Sequence, residues 1–215
     1  MKLIERSVVI ESISNNFKMM TIIVSRFFLH NYNPKDYIIS EYSIKTFISN
    51  KKIKIFIGSW NMNDQNQFNI LNQMIVLAYE KKVDVLVLGS QETNYQYFKN
   101  KAITSFKEII GETYFLKSKN RLGKLQISIF LKKEFIGFSS SCENNSILFE
   151  RSTILKTKGA ISLAFIFFGI SFIFICSHLT PHQSNLNIRI NEIRNSLKKL
   201  NSSRLFPLKK SHSGE

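Results

Sequence analysis

The pattern of hydrophobic and polar positions divides the chain into short apolar runs separated by polar turns. The most apolar stretch has two such runs, residues 160–168 and 170–176, on either side of Gly169. Phenylalanine, isoleucine and small residues fill both runs, a composition that suits strands buried on both faces. The pattern predicts a β-hairpin that ends in Ser177 and His178, with His182 shortly after it.

The same stretch raises the alternative of a membrane-spanning helix. A spanning helix needs about 20 predominantly apolar residues. The run from 161 to 176 is shorter, is interrupted by Gly169 and two serines, and is bounded by Lys158 and His178. The hairpin is therefore the better interpretation, and we expect no transmembrane span.

A strand, a helix and a second strand are predicted upstream of the hairpin. Isoleucine occupies every second position from 53 to 57, which predicts a strand. Apolar residues recur at three- and four-residue spacing over 64–82, which predicts a helix, and residues 83–88 form a short apolar run. This spacing is typical of a βαβ unit with parallel strands whose carboxyl ends share one edge of a sheet.

The remaining pattern predicts more helices and strands. They are, in chain order, a helix over 97–110, strands over 114–116, 125–131 and 135–138, a loop containing Arg121 before the second of these strands, and a turn over 139–146. A final amphipathic helix is capped by Ser184 and carries an apolar stripe made of Leu186, Ile190, Ile193, Leu197 and Leu200.

Composition narrows the class of protein. Thirty Lys and Arg against 15 Asp and Glu give the 215 residues a formal net charge of +15. This surplus favours polyanionic partners such as nucleic acid, inositol phosphates or an acidic membrane face, although a merely solvated lysine-rich surface stays open. Two cysteines, Cys142 and Cys176, are too few for a disulfide framework or a zinc site, which favours a reducing, intracellular compartment. The N-terminus is not typical of a signal peptide.

Candidate site residues lie at the ends of the predicted strands. They are Asn61 and Asn63 after the first strand, Glu92 after the second, Lys158 before the hairpin, and His178 and His182 after it. A carboxylate beside amides suits Mg²⁺, and imidazoles with a lysine can hold a phosphate while its ester bond breaks. Each residue alone has a structural explanation: a single glutamate at a strand end is more often a surface or capping residue, and His182 is as readily a solvated loop residue.

Four segments in this order carry a family resemblance: SWNMN at 59–63, GSQE at 89–92, KTKGA at 156–160 and FICSHL at 174–179. They resemble successive motifs of the inositol polyphosphate 5-phosphatases, a branch of the deoxyribonuclease I-like metal phosphoesterases. Within that branch, the KTKGA segment and the Ser-His pair are most similar to the type IV group. The resemblance covers residues 53–200.

The resemblance implies a four-layer α/β/β/α sandwich of the endonuclease/exonuclease/phosphatase type, with its site at one edge of two packed sheets. It implies that Glu92 binds Mg²⁺, that Asn61 lies beside the scissile phosphate, and that His178 contacts this phosphate. Lys158 matches a lysine that is either structural or substrate-facing. His182 matches a second histidine that many members have and the type IV group lacks.

The reaction implied is Mg²⁺-dependent hydrolysis of the 5-phosphate of a phosphoinositide headgroup at a membrane surface. The cytoplasmic face of ciliary or Golgi membranes is the location that the resemblance suggests. Nucleic acid is not the expected partner, because KTKGA and SHL favour the inositide branch.

Two later family motifs have no counterpart in the sequence: GDxN(Y/F)R, whose aspartate is expected to activate or position the attacking water, and a DR motif. We therefore expect residues 51–215 to be the N-terminal part of a catalytic domain, incomplete at the C-terminus and catalytically impaired, after an extension of unassigned role over 1–50. Two alternatives stay open. One is a Mg²⁺-dependent nuclease of the same superfamily, and the other is a non-catalytic lipid-binding pseudophosphatase with a basic segment over 189–199.

Overall fold

The computed structural model describes residues 8–11, 53–65, 68–94, 103–149, 158–168 and 170–200. Within these ranges the chain forms eight strands and three α-helices. The strands make two sheets, one of five strands and one of three.

The first sheet contains the predicted βαβ unit. Its strands are β1 (Val8–Glu11), β2 (Ile53–Asn61), β3 (Val85–Gln91), β4 (Tyr114–Leu122) and β5 (Leu125–Lys132). They lie in the order β1-β2-β3-β5-β4, and β1, β2 and β3 run parallel. The βαβ prediction is confirmed. The division of the chain at residue 50 stays a prediction, with the added finding that β1 pairs with β2.

Two helices accompany the first sheet. Helix α1 (Phe68–Glu80) connects β2 to β3, and α2 (Ile103–Ile110) lies between β3 and β4. The first buries Phe68, Leu71, Ile75 and Ala78, the spacing expected of a helix with one apolar face. Helix α1 is shorter than predicted at both ends. Residues 97–102 of the second predicted helix lie outside the described residues.

The second sheet contains the predicted hairpin. Its antiparallel strands are β6 (Glu143–Leu148), β7 (Gly159–Phe167) and β8 (Ile170–His178), in that order. Phe167 pairs with Ile170, and Phe168, the residue that follows β7, has a φ of 48°. The hairpin prediction is confirmed, and β8 is buried at every position.

Three apolar clusters hold four layers together. Between the sheets, Ile55 and Val87 of the first pack against Phe165 and Phe174 of the second. On the outer face of the first sheet, alternate side chains pack against α1 and α2, which follows from the two-residue period of a strand. On the outer face of the second sheet, Ile173 and its neighbours pack against the last helix, α3 (Leu186–Lys199). The order helices, sheet, sheet, helix confirms the predicted α/β/β/α sandwich.

Three predictions for the middle of the chain are wrong. Residues 135–138 belong to a 3-10 helix, Lys133–Phe138, and not to a strand. Part of the predicted turn over 139–146 is β6, because backbone pairing with β7 forms this strand although its exposed side chains carry no apolar pattern. Strand β4 extends to Leu122, so Arg121 lies in a strand and not in a loop.

Helix α3 is confirmed as a helix, and its predicted apolar stripe is confirmed in part, because Ile193 and Leu200 pack against the second sheet. Leu186 and Leu197 are 56% and 41% exposed, whereas Glu192 and Ser196 are buried. Ser184 is not the cap: it lies in the 3-10 turn Gln183–Asn185 before the helix. The helix is turned toward its polar side because Glu192 hydrogen-bonds to the segment that follows β8.

Of the helices in the described part of the chain, none is long and apolar enough to cross a membrane. The apolar run over 161–176, for which a spanning helix is the alternative interpretation, forms most of β7 and β8.

Candidate active site

Two parallel strands end side by side at the candidate site. Asn61, the last residue of β2, pairs with Gln91, the last residue of β3. The pairing continues beyond the strands, because Met62 N donates to Gln91 O (2.8 Å) and Asp64 N donates to Glu92 O (3.0 Å). Glu92 has a φ of 51°, a left-handed conformation that is uncommon for glutamate and ends the strand. Asn61 and Glu92 thus lie at the same edge of the sheet.

The hairpin brings two basic side chains to this edge. His178, the last residue of β8, pairs with Gly159, the first residue of β7, and Lys158 immediately precedes Gly159. Lys158 Nζ lies 2.5 Å from His178 Nε2, and Glu92 Oε1 lies 3.2 Å from the same nitrogen. The structure therefore brings three of the predicted site residues, Glu92, Lys158 and His178, into contact.

His178 Nε2 cannot serve both neighbours in one protonation state. Without a proton it accepts a hydrogen bond from the Lys158 ammonium, and with a proton it donates one to the Glu92 carboxylate. The imidazole can therefore exchange one partner for the other when a ligand changes the charge around it.

Burial strengthens the electrostatics of this cluster. The side chain of His178 is 2% exposed and that of Glu92 is 27% exposed. Burial lowers the pKa of the Lys158 ammonium below its ordinary value of 10.5, while the charges of Glu92 and Glu192 act in the opposite direction. A partly desolvated ammonium attracts an anion more strongly than one in bulk water does, because the effective dielectric constant is lower.

The two sheets approach each other closely beneath the site. A Cβ atom at Gly89 would lie 2.8 Å from Cys176 Sγ, closer than real contacts allow. Gln91 Nε2 donates to Ser59 Oγ (3.1 Å) and to Cys176 Sγ (3.4 Å), which ties β2, β3 and β8 together. Sequence reasoning missed these residues as site components. The sequence did offer a signal. Gly89 and Cys176 are small residues near the ends of strands that are otherwise filled by large apolar side chains, which indicates a close approach.

A second glycine keeps Lys158 in place. A Cβ atom at Gly159 would lie 2.5 Å from Ile147 O and 2.8 Å from Leu122 Cδ2. The backbone oxygen belongs to the paired strand β6 and cannot move aside cheaply, so the position requires glycine. This contact explains the glycine of the KTKGA segment.

The loop after β2 is shaped by its own polar residues. Asn61 Oδ1 accepts a hydrogen bond from Asn63 N (2.8 Å), an arrangement that asparagine favours in turns. Asn63 has a φ of 49°, which asparagine tolerates better than most residues do. Asp64 Oδ1 pairs with Lys124 Nζ at 2.5 Å, and both side chains are about half exposed. Asn61 thus ends β2 at the site edge, and its side chain also shapes the turn that follows.

Helix α3 holds the segment that follows His178. Glu192 is 7% exposed, and its carboxylate accepts hydrogen bonds from Thr180 N (2.9 Å) and Thr180 Oγ1 (2.5 Å). Arg189 Nη1 donates to Thr180 O (3.3 Å) and to His182 O (2.5 Å). Sequence reasoning missed Glu192, because it treated the polar residues of this helix as exposed. The available signal was a single acidic residue in a helix whose other charged residues are basic.

The comparison with family models decides the assignment. Residues 58–213, more than half of the chain, match the model described as Endonuclease/Exonuclease/phosphatase family 2. The chain belongs to this family. The predicted membership of the endonuclease/exonuclease/phosphatase superfamily is confirmed.

Curated relatives of this endonuclease/exonuclease/phosphatase family member carry the names of phosphoinositide phosphatases. The phosphatidylinositol polyphosphate 5-phosphatase type IV of Rattus norvegicus is 28% identical over 163 residues, which are 75% of this chain and 25% of the relative. The Homo sapiens protein of the same name is 30% identical over 146 residues, 67% of this chain and 22% of the relative. The chain thus spans about a quarter of the length of these relatives. The predicted resemblance is confirmed.

A solved structure shares the fold of this family member. It is the inositol polyphosphate 5-phosphatase domain of SPsynaptojanin in complex with inositol (1,4)-bisphosphate and calcium ion. The TM-score is 0.54 at 21% sequence identity, and the likeness covers 65% of this chain and 44% of the other. At this identity the likeness supports the shared fold alone.

His182 stands apart from the other predicted site residues of this family member. It is exposed, follows Pro181 and has a φ of 72°. Its carbonyl oxygen accepts a hydrogen bond from Arg189, but its ring makes none to the residues that the structure describes. Within the described residues, no hydrogen bond or ion pair therefore joins the His182 ring to Glu92, Lys158 or His178, and its substrate-binding role stays a prediction.

The oxygen donors at the site edge can be tested for their fit to a divalent cation. Among the described residues, no three His, Cys, Asp or Glu side chains converge on a common point. Glu92 offers a partly exposed carboxylate, and Asn61 on the neighbouring strand offers the second lone pair of an amide oxygen that already accepts from Asn63 N. Mg²⁺ commonly takes one or two carboxylates and completes its shell with water and substrate phosphate. The donors at this edge fit that requirement.

Proposed function

We propose that this chain carries the phosphate-binding side of a phosphoinositide 5-phosphatase site, which hydrolyses the 5-phosphate of phosphatidylinositol polyphosphates. The observation that carries the proposal is the convergence of Glu92, Lys158 and His178 at the end of the two sheets. The names of the rat and human relatives support the substrate class.

Lys158 and His178 have the chemistry to hold a phosphate. An ammonium and an imidazolium donate charge-assisted hydrogen bonds to phosphate oxygens, and such bonds are stronger than those between neutral groups. As water adds to phosphorus and the ester P–O bond breaks, negative charge grows on the phosphoryl and leaving oxygens. Fixed donors in a partly desolvated site stabilise this charge without having to reorient.

Glu92 would hold Mg²⁺ at this edge, and Asn61 would lie beside the ion and the scissile phosphate, the place that the family resemblance implies. When bound there, the ion supplies Lewis-acid stabilisation of the phosphate ester. Glu92 also contacts His178, because its Oε1 lies 3.2 Å from His178 Nε2 and can accept a hydrogen bond from that ring nitrogen.

We further propose that the substrate is a lipid headgroup at a membrane surface. The net charge of +15 supports attraction to an anionic leaflet. The cytoplasmic face of ciliary or Golgi membranes is the location that the family resemblance suggests.

Two measurements on the 215-residue chain test this function. Calorimetry measures the binding of inositol 1,4,5-trisphosphate with and without Mg²⁺, and a phosphate assay measures release from vesicles that contain phosphatidylinositol 4,5-bisphosphate. We expect Mg²⁺-dependent binding and slow release, since the sequence contains no GDxN(Y/F)R motif. His178→Gln should weaken binding about tenfold to a hundredfold, the value of a charged hydrogen bond. Glu92→Gln should remove the Mg²⁺ dependence.

Asp64→Asn is the matched control, because it removes a carboxylate near the same loop that pairs with Lys124 and should leave both measurements unchanged. The absence of both binding and release would overturn the proposal. Cleavage of DNA without inositide turnover would favour a nuclease of the same superfamily. Sedimentation with acidic vesicles that survives Glu92→Gln, without any hydrolysis, would favour a lipid-binding module.

A further inference from the structure

The carboxylate of Glu192 is buried next to the segment that follows His178. It can act on phosphate binding through that segment without contacting the substrate. We propose that Glu192 is a positioning residue, which fixes the segment after His178 and thereby holds the imidazole against Lys158 and Glu92. The inference rests on the proposed function of that site. It adds a residue of α3 to a site otherwise built from strand ends.

Both carboxylate oxygens of Glu192 are used on one residue. Oε2 accepts from Thr180 N at 2.9 Å, and Oε1 accepts from Thr180 Oγ1 at 2.5 Å. Two bonds to one residue fix its orientation as well as its position. Because Thr180 follows His178 by only two positions, its placement limits where the end of β8 can move.

Arg189 holds the opposite side of the same residue. Its Nη1 donates to Thr180 O (3.3 Å), so α3 binds both the backbone N–H and the backbone C=O of Thr180. Arg189 and Glu192 are three residues apart, which places them on the same face of the helix. The same guanidinium nitrogen also donates to His182 O, so α3 is hydrogen-bonded to the segment from Thr180 to His182.

The burial of Glu192 argues for a role beyond stability. A buried charge is costly unless it is fully hydrogen-bonded, and apolar replacements of buried ionic groups are often neutral or stabilising. Helix α3 nevertheless buries Glu192 and leaves Leu186 and Leu197 exposed. A helix selected for packing alone would present those leucines to the sheet. The observed rotation places the carboxylate at Thr180 instead.

His178 is thus restrained from both directions along the chain. On its N-terminal side β8 pairs with β7 up to the pair of His178 and Gly159. On its C-terminal side Thr180 is fixed to α3. Glu192 also lies near enough to Lys158 for its charge to act on that ammonium. Its removal should therefore alter the geometry of the imidazole first and phosphate binding as a consequence.

The test records the ring signals of His178 by nuclear magnetic resonance in the chain labelled with ¹⁵N-histidine. The sequence has only four histidines, so His178→Gln assigns the signals. The variants are Glu192→Ala, Glu192→Gln, Thr180→Val and Thr180→Ser. We expect Glu192→Ala and Thr180→Val to shift the His178 ring signals and to weaken inositol 1,4,5-trisphosphate binding about tenfold, the loss of one or two hydrogen bonds. Thr180→Ser keeps the hydroxyl, so its ring signals and affinity should match those of the wild-type chain. Glu192→Gln should give ring shifts and an affinity between those of the wild-type chain and Glu192→Ala.

Ser196→Ala is the control for a merely structural effect. Ser196 is buried on the same helix and donates to Glu192 O (2.7 Å), but it does not bond to Thr180. We expect Ser196→Ala to lower Tm while leaving the ring signals and phosphate binding unchanged. If it moves the ring signals as much as Glu192→Ala does, the positioning role is overturned.

The two proposals fail in different ways. If the wild-type chain does not bind the inositol phosphate, but Glu192→Ala and Thr180→Val still shift the His178 signals, the positioning role stands and the proposed function fails. If the wild-type chain binds the inositol phosphate and both variants leave the ring signals and the affinity unchanged, the positioning role is overturned and the proposed function stands.

Discussion

In the part of the chain that the structure describes, β6 and β8 form the two edges of the second sheet, and they differ sharply in burial. Strand β8 is buried at all nine positions, whereas no residue of β6 is fully buried. Both pair with β7 through regular antiparallel registers. The difference arises from what covers them, because β8 lies between the first sheet and the apolar cluster beneath α3. A strand's place in a sheet therefore does not set its burial, and the layers around it do.

This difference explains why the candidate site lies at the end of β8. A side chain delivered by a buried strand has few alternative positions, and phosphate chemistry needs donors held in fixed geometry. The polar edge presented by β6 has another advantage, since exposed polar side chains discourage pairing with other chains. Strand β8 is thus suited to holding a site residue in place, and β6 is suited to contact with water.

The largest expected effect comes from truncation of the β8 core. Phe174 is fully buried, and its ring centroid lies 6.2 Å from that of Phe165 and 6.1 Å from that of Phe172. Phe174→Ala should lower the free energy of unfolding by about 3–5 kcal/mol. Asn144→Ala at an exposed position of β6 should change it by less than about 0.5 kcal/mol. Urea denaturation followed by circular dichroism measures both, and similar losses would refute the contrast between the two strands.

An intermediate effect is expected where β8 meets β3. Gly89→Ala should destabilise the chain by about 1–3 kcal/mol, because the added Cβ would lie 2.8 Å from Cys176 Sγ. Cys176→Ala removes that sulfur and should relieve the clash, so the double variant should be more stable than the sum of the single changes predicts. The double-mutant cycle is measured by urea denaturation. Strict additivity would mean that the two strands are not in tight contact here.

Sequence reasoning succeeded where burial imposes a pattern. Strand β8 and the βαβ unit were predictable because nearly every position is constrained by apolar neighbours. Strand β6 was not, because backbone pairing forms it while its exposed side chains are unconstrained. The face of α3 was predicted only in part for a related reason: Ile193 and Leu200 of the apolar stripe pack against the sheet, but the hydrogen bonds of Glu192 leave Leu186 and Leu197 exposed.

The candidate site divides in the same way. Glu92, Lys158 and His178 could be named from motifs at strand ends. Their mutual contact could not, because it depends on how closely two sheets pack, and no local pattern encodes that distance. Gly89 and Cys176 allow the two sheets to pack this closely. This role can be recognised only from the positions of both strands in the fold.

The smallest expected effect tests how the entry to β6 is held. Lys117 lies at a register shift in β4, and its Nζ donates to Ser139 Oγ (2.8 Å) and to Ser140 O in the segment that leads to β6. Burial lowers the pKa of the Lys117 ammonium below 10.5, while Cys142 acts in the opposite direction.

The sign of the resulting pH dependence follows from proton binding. Between the lowered pKa of Lys117 in the folded state and the ordinary value of 10.5, the unfolded chain binds more protons than the folded chain does, so stability rises with pH in that window. Lys117→Met should remove this rise, and solvent screening of a partly exposed group keeps the effect below about 1 kcal/mol. Urea midpoints at pH 7 and pH 10 measure it, with the exposed Lys119→Met on the same strand as control. The opposite result is a fall in wild-type stability with pH relative to Lys117→Met. It would mean that the hydrogen bonds to Ser139 and Ser140 raise the pKa of Lys117 more than burial lowers it. The charged ammonium would then stabilise the entry to β6.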